Sequence, residues 1–158
     1  MTQREDVARA MAFFDESDDI ALLHQLTGEV APRVKRMVGQ MLSKGSEESI
    51  PPPADLRPAR EAATQNQALA TLRAEQDFAL LQVIARSIGR RIETLEIAAS
   101  ADFPEGVNVR VPEEPRYPRA GRELPGTVED TGTSLRVRLD NGETWEGPPS
   151  LARLAAGQ

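Results

Sequence analysis

The middle of the chain carries a long register of apolar residues whose spacing alternates between four and three. Such spacing is typical of a helix that packs along its length against another helix, as in a coiled coil. Residues 60–70, before the strict part of the register, are rich in Ala and Gln and are expected to be helical but weakly packed. The pattern predicts one long helix over residues 59–103, whose oligomerisation or bundle seam consists of Ala74, Phe78, Leu81, Ala85, Ile88, Ile92, Leu95 and Ala99.

This seam has two interpretations, as the core of a bundle within one chain or as a contact between chains. A helix of about 45 residues would be about 65 Å long, which exceeds the usual helix of a globular domain. Its length favours a seam that lies at least partly between chains. Isoleucine at both kinds of seam position mildly favours three strands over two, so the sequence predicts a homo-oligomer with a slight preference for a trimer.

Apolar residues at helical spacing also predict two helices before the seam, over about residues 3–14 and 20–43. A glycine and a proline interrupt the second pattern at residues 28–32. Because proline removes a backbone donor and clashes with the preceding turn, a kink or break is expected there. Residues 1–44 are therefore predicted to form short amphipathic helices.

A linker is predicted between these helices and the long one. Residues 45–58 are rich in proline and polar side chains, and residues 51–53 are three consecutive prolines. Consecutive prolines form a stiff polyproline helix, which favours a rigid spacer. A ligand for a module with an aromatic groove is the alternative interpretation.

After Pro104 the pattern changes from helical spacing to strict alternation, which indicates strands. Residues 135–139 alternate most clearly, and the Asn141-Gly142 pair after them is a strong hairpin signal. The pattern predicts a small antiparallel β module over residues 104–158, with a proline-rich arm and a C-terminal helical turn. The order of turns and strands resembles that of SH3-like or OB-like small barrels. The predicted fold class is α+β, a helical bundle or long coiled-coil-like helix followed by this module.

Amino-acid composition excludes or disfavours several classes of function. The 158-residue chain has no cysteine, which excludes disulfides, a thiolate nucleophile and cysteine-ligated metal centres. Its formal net charge of −6 disfavours a general nucleic-acid binder. Because the sequence has neither a long apolar run nor the apolar core of a signal peptide, we expect no membrane association and a location in the cytoplasm or in a virion.

No catalytic chemistry stands out along the chain. His24 is the only histidine, so no second imidazole or thiolate completes a zinc site. No phosphate-binding glycine loop and no nucleophile elbow is present. We therefore predict no catalytic, cofactor-binding or metal-binding residue, no cofactor, and a protein that is not an enzyme.

Three residues of the β module are candidate partner contacts. Arg136 and Arg138 share one face of the clearest strand, and Trp145 is the only tryptophan. Small barrels bind nucleic acid on such strand faces. Neighbouring acids such as Glu129 would neutralise the arginines, which favours cross-strand ion pairs, and the core of the module is the favoured place for Trp145. Nucleic acid is therefore a disfavoured partner.

Two hypotheses of different classes follow. The first is a structural or adaptor protein that oligomerises through its helices and docks on other subunits of a larger assembly. By analogy of architecture, such an assembly could be a phage or phage-like virion, with the chain in its decoration, spike or neck. The second is a regulator whose helices dimerise while the β module binds nucleic acid or a protein.

Overall fold

The protein is an α+β protein whose helices precede its sheet in the chain. The computed structural model describes residues 2–45 and 50–155. The chain divides into two compact units, Met1–Arg91 and Ile92–Gln158, and the last helix contributes to both. Within the described residues the helices are α1 (Gln3–Glu16), α2 (Ile20–Lys44), α3 (Gln65–Ala74) and α4 (Phe78–Ser100).

The helical unit is built on the apolar faces of its helices, with α1 packed against α3. Side-chain caps fix three of the helix starts, because Thr2, Asp19 and Thr64 each accept a backbone N–H of the first turn. The apolar residues recur at spacings of three and four, which places them on one face of each helix. The largest fully buried side chains of this unit are Val7, Phe14, Leu23, Leu26, Leu72, Leu81, Ile84 and Ile88.

The structure corrects the single helix expected over residues 59–103. Residues 59–64 are not helical, and the helical stretch is broken between α3 and α4. Asp77 causes the restart, because its Oδ1 accepts the backbone N–H groups of Ala79 at 2.9 Å and Leu80 at 3.3 Å. This is the geometry of a helix N-cap, which satisfies donors that no intrahelical carbonyl can reach.

Glu75 holds the other side of this break. Its side chain is buried, and Oε2 accepts the side-chain amide of Gln3 at 2.6 Å and the backbone N–H of Asp77 at 2.9 Å. A buried carboxylate is stable only where hydrogen bonds or charges compensate it. These bonds fix the chain between α3 and α4 and tie it to the start of α1.

The sequence predicts a kink or break at residues 28–32. The helix does not end there, since α2 is continuous across Pro32. The turns on either side are held by tertiary contacts. Leu26 and Val30 are buried, and the Arg33 guanidinium donates to the carbonyl oxygens of Leu72 at 2.9 Å and Glu75 at 2.7 Å. These contacts offset the hydrogen bond that a proline removes inside a helix, while Arg33 satisfies carbonyls at the end of α3.

The described part of the proline-rich segment lies against the helical unit. The backbone N–H groups of Ala54, Ala59 and Ala63 donate to carbonyl oxygens of α4 and α1 over 2.9 to 3.1 Å. Residues 46–49 of the predicted linker lie outside the described residues. Residues 50–64 are therefore part of the helical unit and differ from the spacer that the sequence predicts.

The second unit contains one antiparallel sheet in the order β4-β3-β2-β1-β5. Inward-facing residues alternate along its strands, as expected for a half-buried sheet. A 3-10 turn at Pro149–Leu151 precedes the last strand, whereas Ala156, the end of the predicted C-terminal turn, lies outside the described residues. The strands are β1 (Asn108–Pro112), β2 (Glu123–Asp130), β3 (Leu135–Leu139), β4 (Thr144–Gly147) and β5 (Arg153–Leu154).

A compact apolar core fills one face of this sheet. Phe103, which precedes the first strand, and Leu151 of the 3-10 turn close the core at its ends. The loop between β1 and β2 packs on β4, where Pro115 approaches Gly147 closely. The buried strand residues of this core are Val109, Val111, Val128, Leu135, Val137, Leu139 and Trp145.

Candidate docking surface

Among the described residues, the second half of α2 contains the longest run of helix without a buried side chain. The buried residues of α2 are Leu23, Leu26 and Val30, and no residue from position 31 to 44 is buried. These residues form about 21 Å of helix. Isolated helices of this length are marginal in water, because nucleation costs more than a few hydrogen bonds return.

Apolar side chains nevertheless continue along this uncovered part. Val34, Met37, Val38 and Met41 are half-buried, and Leu42 is 43 % exposed. An apolar stripe at helical spacing is typical of a helix face that packs against something. The described residues of the helical unit leave these side chains half-buried or exposed.

A groove between α2 and α4 adjoins the stripe. It encloses about 330 Å³ and has an almost entirely apolar lining. Several lining side chains are small, and a Cβ added at Gly89 would meet nothing within 4 Å, so another helix could approach the floor closely. The lining residues are Thr27, Val30, Ala31, Val34, Lys35, Ala85, Ile88 and Gly89. We refer to this groove together with residues 31–44 as the docking surface.

Charge is distributed unequally along α2. Asp18, Asp19 and Glu29 lie at or before its first half, and positions 30–45 contain four basic residues and no acid. One of the four, Arg33, donates to carbonyls of the helical unit. The other three, Lys35, Arg36 and Lys44, are exposed, so the second half of α2 presents positive charge beside its apolar stripe.

The structure divides the predicted seam among different environments. Phe78, Leu81 and Ile88 are buried within the chain, at 4 %, 0 % and 1 % exposure. Ala85, together with Ile88, lines the groove. The remaining seam residues are Ala74, which is exposed at the end of α3, and Ile92, Leu95 and Ala99, which are half-buried.

The candidate contacts of the β module are engaged within it. Arg138 pairs with Glu129 at 2.7 Å between Nε and Oε1, and Arg136 pairs with the other oxygen of the same carboxylate at 3.5 Å. Trp145 is buried in the core, and its indole N–H donates to the carbonyl oxygen of Pro112 at 2.8 Å. The arginines therefore carry a compensated charge.

The second unit contains a buried polar cluster that the apolar pattern of the sequence does not predict. Glu96 is 2 % exposed, and its two oxygens accept the backbone N–H and the hydroxyl of Ser150, each at 2.7 Å. Helical spacing could have indicated it, because Glu96 shares a face of α4 with the seam residues Ile92 and Ala99. The cluster ties the end of α4 to the 3-10 turn.

Tyr117 extends this cluster, since its hydroxyl lies 2.7 Å from the Ser150 hydroxyl oxygen. Burial raises the pKa of the Tyr117 phenol above its ordinary value, and the negative charge of Glu96 adds to the rise. A phenol that is harder to ionise stays a neutral hydrogen-bonding group. These bonds join the loop between β1 and β2, the 3-10 turn and the end of α4.

A second carboxylate of this unit bridges two arginines. Glu123 accepts hydrogen bonds from Arg153 and, at 2.8 Å, from Arg119. The hydrogen bond from Arg153 is the main cause that lowers the pKa of the Glu123 carboxyl, and Arg119 adds to it. Arg119 also donates to the carbonyl oxygen of Leu151, so this bridge links the loop before β2 to the last strand.

Residues 2–45 and 50–155 contain no group of three or more His, Asp or Glu side chains arranged to hold a metal ion. Within the same part of the chain, every helix is too short or too polar to cross a bilayer.

Comparison with known proteins adds no assignment. No protein-family model matches the chain, and neither a curated protein nor a solved structure is significantly similar to it.

Proposed function

We propose that this protein is a non-enzymatic structural or adaptor protein that self-associates through its helical unit and docks on other subunits of a larger assembly. The observation that carries the proposal is the docking surface, where an apolar groove adjoins about 21 Å of amphipathic helix in which no described residue is buried. Exposed apolar surface of this kind marks interaction sites in folded proteins. By analogy of architecture alone, a symmetric assembly such as a phage-like virion is a fitting setting.

In this proposal the contact between chains lies at the docking surface, which adjoins the predicted seam of α4. Much of the seam packs within the chain, while Ala85 and Ile88 also form one wall of the groove. Coiled-coil-like packing would then involve α2 of another molecule against this wall. A nucleic-acid-binding role lacks comparable support, because Arg136 and Arg138 both pair with Glu129.

For the β module we infer a small barrel of the SH3-like type. Support comes from the order of five short antiparallel strands and from the 3-10 turn directly before β5. Its core accommodates the single tryptophan, and its outer strand face carries paired charges. In the proposed adaptor this module is the second contact with neighbouring subunits.

The mass in solution tests self-association. Substitution of Ile88 would disrupt the core, so the informative variant is Val38→Asp with Leu42→Asp, which charges the half-buried and exposed stripe. A matched control is Gln40→Asp with Ser43→Asp, which adds the same charge at exposed polar positions of the same helix end.

We expect wild type and control to be multimers by light scattering and sedimentation, and the stripe variant to be a monomer that keeps most of its helical circular dichroism and loses helicity only at the end of α2. A wild type that is monomeric at every concentration would overturn the proposal. A multimer that the stripe variant leaves intact would overturn the docking surface as its interface.

A further inference from the structure

We propose that the helical unit contains a binding site for a phosphate group, formed by Arg57, Arg86 and Arg90 around one cavity. The cavity encloses about 200 Å³ and lies between α1, α4 and residues 53–58 of the proline-rich segment. It has no lining residue in common with the docking surface. The inference is therefore independent of self-association and of the proposed function.

The fold brings these three arginines together from two separate parts of the chain. Arg86 and Arg90 lie four residues apart on α4, so their side chains leave the same face of the helix. Arg57 belongs to the proline-rich segment, which lines the cavity along residues 53–58. No spacing in the sequence indicates this cluster, because it depends on where the segment crosses the helices.

Backbone hydrogen bonds hold the segment in place on both sides of Arg57. The N–H of Ala54 donates to the carbonyl oxygen of Ala79 in α4 at 3.1 Å, and the N–H of Ala59 donates to that of Ala8 in α1 at 2.9 Å. The cavity is therefore formed before any ligand arrives. A site whose backbone is already ordered loses less conformational freedom on binding.

Positive charge outweighs negative charge around the cavity. Its described lining residues include three arginines and one acid, Asp55. Asp15, which is not part of the lining, pairs with Arg90 at 3.6 Å between Oδ1 and Nη2. Within the part of the chain that the structure describes, neither Arg57 nor Arg86 forms an ion pair. Because like charges repel at short range, an anion between these guanidinium groups stabilises their arrangement.

The chemistry of the guanidinium group selects the class of anion. Each guanidinium is planar and can donate two parallel N–H bonds to the oxygens of a phosphate or a carboxylate. Arginines from two parts of the chain match an anion with several oxygens and more than one negative charge, which phosphate provides. A single carboxylate has one pair of oxygens and one charge, so it satisfies fewer of these donors.

The size of the cavity limits how much of a ligand it encloses. Its volume of about 200 Å³ is below the range of about 300–1,000 Å³ that is typical of pockets for drug-sized molecules. It therefore encloses one phosphate group. That group is either inorganic phosphate or the phosphate of a larger ester, the rest of which lies outside the cavity.

Isothermal titration calorimetry of the full chain tests the site, at near-neutral pH and at an ionic strength held constant with chloride. The probes are inorganic phosphate, glycerol 3-phosphate as a phosphate ester, and acetate as a carboxylate. The variants are Arg57→Gln, Arg86→Gln and their combination, all at exposed positions. Arg60→Gln is the matched control, because Arg60 is an exposed arginine of the same segment that does not line the cavity. Circular dichroism checks that each variant is folded.

We expect wild type and Arg60→Gln to bind inorganic phosphate equally well. Arg57→Gln and Arg86→Gln should each bind it about tenfold more weakly, because each loses a charge-assisted contact, and the double variant should show no measurable binding. Glycerol 3-phosphate that binds at least as tightly as inorganic phosphate identifies an ester as the ligand, and weaker binding identifies the free ion.

Four results would overturn the inference. Wild type that binds neither phosphate probe has no such site, and unchanged binding by the folded double variant would place the site elsewhere. An equal loss in Arg60→Gln would indicate general attraction to positive charge. Acetate that binds as tightly as phosphate would contradict the class of ligand. None of these results bears on self-association, which is measured separately by mass.

Discussion

At the scale of single residues, two glycines illustrate how the environment decides the effect of one methyl group. A Cβ at Gly126 would lie 2.6 Å from Val137 Cγ1 and 2.7 Å from the Arg138 carbonyl oxygen, while a Cβ at Gly39 would meet nothing within 4 Å. We expect Gly126→Ala to lower the free energy of unfolding of the β module by about 1–3 kcal/mol through overpacking. Gly39→Ala should instead stabilise α2 by up to about 1 kcal/mol.

Denaturant titrations check this pair, with the fluorescence of the single tryptophan reporting on the β module and circular dichroism on the helices. A Gly126→Ala variant as stable as wild type would show that β2 and β3 do not approach as closely as the structure places them.

Tyr117 gives a residue-scale prediction with a defined pH range. Because burial raises its pKa, the folded state holds the phenolic proton more tightly than the unfolded chain does. The resulting stabilisation is complete below the ordinary phenol pKa of about 10 and is lost as pH rises through the raised pKa. We expect the free energy of unfolding to fall above about pH 10, and Tyr117→Phe to reduce that fall.

Tyrosinate absorbance checks the assignment directly, since the chain has a single tyrosine. The native protein should form tyrosinate at a higher pH than the protein in denaturant. Coincident titration curves would contradict the half-buried position of Tyr117.

At the scale of elements, the boundary between α3 and α4 depends on one cap. Replacement of Asp77 by alanine removes the acceptor of two backbone N–H groups at the start of α4. We expect Asp77→Ala to cost about 0.5–2 kcal/mol of stability in the helical unit, whereas Asp77→Asn should cost less because asparagine also caps helices. If both variants unfold as wild type does under circular dichroism, the two helices do not need this cap.

The helices also show what sequence patterns predict well and what they do not. Apolar spacing identified the helical character of residues 3–14, 20–43 and 78–100. It predicted continuity where Asp77 interrupts, and a kink or break at residues 28–32, where α2 runs on through Pro32 as one helix. Contacts between residues distant in sequence contribute to both differences, since Glu75 bonds to Gln3 beside the local Asp77 cap and Arg33 bonds to the end of α3.

At the scale of the whole molecule, the class and the order of the parts follow from local pattern. The change from helical spacing to alternation after Pro104 predicted helices followed by a sheet, and the α+β class is confirmed. The docking surface could not be predicted in the same way, because its groove needs Val34 of α2 beside Ala85 of α4. The spacing of apolar residues identifies the seam residues of α4. Which of them are buried within the chain depends on packing between elements.

Self-association also predicts how stability depends on protein concentration. If two copies bury the docking surface, the dimer is linked to the folded state, and thermal stability rises with concentration by mass action. We expect the melting temperature of wild type to rise as the protein concentration is raised in tenfold steps. Val38→Asp with Leu42→Asp should melt at a temperature that does not depend on concentration, and Gln40→Asp with Ser43→Asp should behave as wild type. A wild-type melting temperature independent of concentration, where light scattering shows a multimer, would mean that association does not stabilise the fold.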